Sequence, residues 1–180
     1  MPTVNLLPDG DVSNNWTLSA GSDVYALIDD DHSGFITADS SLVSTTASGK
    51  EFYVTLQDFT ESHSAINSVT AVVRAGNNGR GQSFRLTASL TNSSFPITLY
   101  YGELSSLQGA SAAYRTITYT ARTTYDGSNA WTNALVNALR LKVESTVHSG
   151  GTLRCTYCYL IVDYTEPVAT DNSIFFGTNF

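Results

Sequence analysis

The chain reads as an all-β protein: an antiparallel β-sandwich, jelly-roll-like, with one short helix and an extended C-terminal arm. Three observations predict this. In residues 83–90 (S-F-R-L-T-A-S-L), Phe84, Leu86, Ala88 and Leu90 alternate with Ser83, Arg85, Thr87 and Ser89, the two-residue period of a strand with one buried and one exposed face. The same period returns over 52–56, 69–75, 97–101 and 139–143, between Gly- and Asn-rich loops, the spacing of a sandwich or barrel. Charged residues are only 14% of the chain, well below the roughly 25% of an average domain. Ser, Thr and Asn take their place, and Thr suits a pleated surface.

Taken in order, residues 4–28 combine turn chemistry at Pro8-Asp9-Gly10 with the apolar anchors Trp16, Leu18, Tyr25, Leu27 and Ile28. The end of this segment, 24–28, reads as strand. A polar stretch over 29–46 is broken only by Phe35-Ile36 and Leu42-Val43, and 50–121 reads as successive strands. A short helix is expected, opened by Asp126-Gly127-Ser128 and carrying Trp131, Leu135, Val136 and Leu139 at helical spacing. Strand alternation resumes at 139–144, and a last strand runs over 153–164. After Tyr164 the alternation stops. Two parts follow: a sandwich domain, 1–164, and an arm, 165–180. The arm contains Pro167 and ends N-S-I-F-F-G-T-N-F. Ile174, Phe175, Phe176 and Phe180 are costly to leave in water, so the arm is expected to dock on its own domain or on a neighbouring subunit.

At 180 residues and 42% hydrophobic, the chain can bury the core of one domain. A net charge of −7 and scattered arginines argue against nucleic acid, which demands clustered Lys and Arg. No apolar run approaches the roughly 20 residues of a membrane-spanning helix. Met1-Pro2-Thr3 opens neither a basic nor an apolar signal segment, so synthesis in a cytoplasm is expected. Cys155 and Cys158 form C-T-Y-C within the last strand. Residues three apart on a regular strand point to opposite faces, which argues against a mutual bond or a shared metal.

Residues 29–40 (D-D-D-H-S-G-F-I-T-A-D-S) resemble an EF-hand calcium loop, with Asp at positions 1 and 3, Ser at 5, Gly at 6 and Ile at 8. Ser40 stands where a bidentate Glu is needed, and the flanks do not read as helices. Asp29, Asp31, Ser33 and Asp39 remain a candidate structural calcium site. Residues 76–81 (G-N-N-G-R-G) lack the Lys and the following helix of a phosphate loop and read as a hairpin connection. His32, His63 and His148 are isolated, no nucleophilic triad is legible, and no enzyme activity is expected. Both tryptophans read as core, whereas outward-facing tyrosines among Tyr100, Tyr101, Tyr157 and Tyr159 are candidate sugar-stacking surfaces.

Residues 7–30 (L-P-D-G-D-V-S-N-N-W-T-L-S-A-G-S-D-V-Y-A-L-I-D-D) resemble a segment of structural proteins of tailed bacteriophages, D-V-x-x-x-W-T followed by a Tyr and I-D-D. Residues 131–164 resemble the same group, with a Trp, a short apolar turn, L-R-L-K-V and a strand ending V-D-Y. The resemblance implies a virion structural protein assembled in the bacterial host cytoplasm, in the first place a capsid cement or decoration subunit. It further implies other virion proteins as partners, the major capsid protein foremost, and a homo-oligomer such as a trimer. The apolar arm residues would be the partner-binding elements. The alternative it leaves is a tail-fibre or appendage module that binds host-surface glycan, or a tail or neck component.

Overall fold

The computed structural model describes residues 1–29, 41–77, 84–92, 113–148 and 151–168. Among them, alternation becomes ten strands. These are β1 (Thr3–Leu6), β2 (Pro8–Asn14), β3 (Thr17–Leu18), β4 (Val43–Thr45), β5 (Lys50–Leu56), β6 (Ala65–Asn77), β7 (Phe84–Asn92), β8 (Ala113–Thr118), β9 (Leu139–His148) and β10 (Leu153–Thr165). They form a six-stranded sheet, β3-β4-β10-β6-β8 with β1 also paired to β10, and a four-stranded sheet, β2-β5-β9-β7. Every pairing is antiparallel. Among the described strands, each except β3 is followed by one in the other sheet. An all-β, jelly-roll-like sandwich is therefore what the chain forms.

The core explains the alternation. From the four-stranded sheet come Phe52, Val54, Leu56, Leu139, Leu141 and Val143; from the six-stranded sheet come Val69, Ala71, Val73, Ala75, Leu153, Leu160 and Val162. Each full Val, Leu or Phe burial contributes roughly 1.5–3 kcal/mol. Trp16 closes one part of this layer with its ring edge-on to Phe52, centroids 5.2 Å apart. Phe59 closes another against Tyr164 at 5.4 Å.

Five expectations need correction. There are two short helices among the described residues, not one: α1 (Tyr25–Ile28) and α2 (Asn133–Asn137). The first replaces the strand expected at 24–28, because the Asp11 carboxylate reaches over from β2 and accepts from the Val24 and Tyr25 amides at 2.7 and 2.8 Å. That satisfies orphan donors of a helical turn, while Leu27 and Ile28 are buried below it. The second is opened by Thr132, whose hydroxyl accepts from the Leu135 amide, and not by Asp126. Pro8-Asp9-Gly10 is no turn. It lies inside β2, whose register shifts between Pro8 and Gly10; a Cβ on Gly10 would meet Thr55 Oγ1 at 2.8 Å. Gly76 and Asn77 end β6, and β6 and β7 belong to different sheets, so they are not the paired strands of a hairpin; residues 78–81 lie outside the described residues.

Candidate functional site

On β5, K-E-F-Y-V-T-L buries Phe52, Val54 and Leu56 and leaves Glu51, Tyr53 and Thr55 partly exposed. On β9, Leu139, Leu141 and Val143 are buried while Arg140, Lys142 and Glu144 are half-buried on the opposite face. The β5–β9 register sets these outward residues side by side: Glu51 with Glu144, Tyr53 with Lys142, Thr55 with Arg140. Next to them, β7 holds Thr87, Ser89 and Thr91 at the register positions of Glu144, Lys142 and Arg140. The outer face of the four-stranded sheet thus carries three rungs of charged, hydroxyl and aromatic residues.

Two carboxylates directly opposite one another on a sheet repel. Lys142 resolves the conflict. Its Nζ lies 2.6 Å from Glu51 Oε2 and 3.0 Å from Glu144 Oε2, with 19% of the lysine side chain and 29% of each glutamate exposed. The ammonium also sits over the Tyr53 ring, 5.4 Å from its centroid. Partial burial alone would favour the neutral amine, but hydrogen bonds to Glu51, Glu144 and Tyr53 outweigh it and hold the lysine well above its usual range. At the neighbouring rung the Thr55 hydroxyl donates to Asp9 Oδ1 at 2.5 Å. Arg140 donates from Nη1 to the Leu139 carbonyl at 2.9 Å. Such a surface offers fixed donors, fixed acceptors and one half-buried ring without a nucleophile–base pair.

The residues singled out from sequence fall elsewhere. Asp29 is the partly buried C-terminal cap of α1. Asp31, Ser33 and Asp39 lie outside the described residues, as do Tyr100, Tyr101 and the arm residues Ile174, Phe175, Phe176 and Phe180. Among the described residues no group of three His, Cys, Asp or Glu is placed to hold a metal ion. Trp16 and Trp131 are core, each 5% exposed. Trp131 donates its ring N–H to the Arg122 carbonyl at 2.8 Å.

Tyr157 and Tyr159 lie on one face together, outside the main core. With Val72 they form a second buried cluster, flanked by Leu7 and Ile161. The Tyr157 hydroxyl is 2.8 Å from Thr116 Oγ1, and the Arg74 guanidinium lies over the Tyr114 and Tyr157 rings at 5.5 and 6.0 Å. These tyrosines are packing residues and not an open stacking surface. Cys155 and Cys158 also depart from the regular-strand argument. A register shift between Cys155 and Tyr157 inserts Thr156 as a bulge residue, which turns both thiols into the main core.

Tyr53, Lys142, Glu51 and Glu144 were missed in the sequence as a group. The signal available was the polar half of two alternating strands; what was lacking was the β5–β9 register.

No protein-family model matches the chain, and no curated protein matches it. Solved structures do. The CBM36-1 domain of a multidomain xylanase from the hindgut metagenome of Trinervitermes trinervoides aligns over 92% of this chain and 100% of its own, at 10% identity and a TM-score of 0.44. The xylan-binding module CBM15 aligns over 92% and 99%, at 14% identity and a TM-score of 0.47. A chain of infectious bursal disease virus, Gx strain, aligns over 87% of this chain and 33% of its own, at 11% identity and a TM-score of 0.40. Likeness at this level assigns no ligand to this protein.

Proposed function

We propose that the protein is a glycan-binding β-sandwich module, with the outer face of the four-stranded sheet as its binding surface. The observation that carries this reading is the Tyr53–Lys142–Glu51–Glu144 group, held on a rigid sheet by paired strands. Sugar hydroxyls both donate and accept. Carboxylates that accept, the Arg140 guanidinium that donates and Thr55 beside it meet both needs. The C–H face of a pyranose ring matches the apolar body of a tyrosine. Because the strands fix these groups in advance, little side-chain entropy remains to be lost on binding. Retention of the protein on immobilised polysaccharides, read by affinity electrophoresis, tests the reading. Tyr53→Ala is expected to weaken retention about tenfold, equivalent to roughly 1.4 kcal/mol, with the thermal melt little changed. Equal retention of the wild type and Tyr53→Ala would move binding off this face.

The setting we propose is a phage appendage, resting on the resemblance of residues 7–30 and 131–164. Those stretches are neighbours in space, since α1 of the first packs on β10 of the second, so the resemblance falls on scaffold. The capsid-cement role rests on the apolar arm residues Ile174, Phe175, Phe176 and Phe180, which lie outside the described residues.

A further inference from the structure

On the reading that this face binds a glycan, we propose that it selects neutral glycans and rejects acidic ones, with Glu51 and Glu144 as the selecting residues. The rungs carry the carboxylates Glu51, Glu144 and Asp9 against the cations Lys142 and Arg140, on a chain whose net charge is −7. An acidic sugar would need a cation. Lys142 is already committed, at 2.6 Å to one carboxylate and 3.0 Å to another. A carboxylate or sulfate on the ligand would have to displace one of them and leave it beside its twin, since Glu51 and Glu144 are direct cross-strand partners.

Arg140 is the other cation of these rungs. Its cross-strand partner is Thr55, and the Thr55 hydroxyl carries the Asp9 carboxylate. An acidic group approaching Arg140 would therefore approach Asp9 as well. Neutral hydroxyls face no such conflict: they donate to Glu51 and Glu144 through lone pairs that Lys142 leaves open, and a carboxylate has about four such sites.

The test uses glucan, mannan and galactan, each beside the same polymer carboxymethylated, against the full chain. Each neutral polymer that binds is expected to bind at least about tenfold tighter than its carboxymethylated form at roughly 0.02 M salt. The gap should narrow at about 0.5 M, where charges are screened within a few ångströms. The Glu51→Gln, Glu144→Gln double variant should narrow it at low salt too. The salt series on the wild type reads the same effect without any variant. Equal or tighter binding of the acidic polymers, or an unchanged gap in the folded double variant, overturns the selection while the glycan reading stands. Failure to bind any polymer of either kind overturns both.

Discussion

Cys155 and Cys158 show how one extra residue changes the chemistry of two others. Without Thr156 as a bulge, the thiols would fall on opposite faces; with it, both enter the core and are fully buried. Burial pushes the Cys155 thiol up to about 12, from an ordinary value of 9.0. The same burial, with the neighbouring Cys155 adding to it, raises Cys158 well above the usual range. In the unfolded chain both ionise near pH 9, so between about pH 9 and 12 the folded state holds more protons. Stability from this source is therefore complete below about pH 9 and is lost as pH rises toward 12. A urea midpoint followed from pH 8 to 11 should fall, and fall less in the Cys155→Ala, Cys158→Ala double variant. Parallel slopes would mean that the thiols are not sealed. The C-T-Y-C spelling was plain in the sequence, but the bulge was not, because nothing in Thr156 itself distinguishes a bulge from a ladder residue.

The elements divide according to whether their cause is local. β5, β6, β7, β9 and β10 follow from alternation, and α2 follows from helical spacing beside a Thr cap. By contrast, α1 is made by a contact thirteen residues distant in sequence, the Asp11 carboxylate on the Val24 and Tyr25 amides. Residues 24–28 contain no Gly or Pro and carry β-favouring Val, Tyr and Ile, so local propensity favoured a strand. Asp11→Ala should cost about 1 kcal/mol, as other cap losses do, with the urea midpoint lowered and its slope unchanged. Asp11→Asn should recover part of that loss, since an amide oxygen still accepts. A variant as stable as the wild type would mean that the packing of Leu27 and Ile28 alone holds the turn.

For the whole molecule, the sandwich presents two unlike outer faces. That of the six-stranded sheet carries a buried aromatic cluster around Tyr157 and Tyr159, and that of the four-stranded sheet carries the polar rungs proposed to bind glycan. The proposed setting is decided by counting copies in purified particles. A few copies at a vertex or tail tip, with Tyr53 turned outward, is the expected outcome of cryo-electron microscopy; hundreds spread over the shell would restore the cement role. By itself the sequence determined the all-β class, most strands and the identity of the core, because a two-residue period records which side of each strand meets water. Only the tertiary structure decided which polar residues act together. Glu51 and Glu144 are more than ninety positions apart, and their shared lysine exists only because β5 and β9 pair in one register. Pairing partners in a sandwich are chosen by the packing of two whole sheets, and no local pattern records that choice.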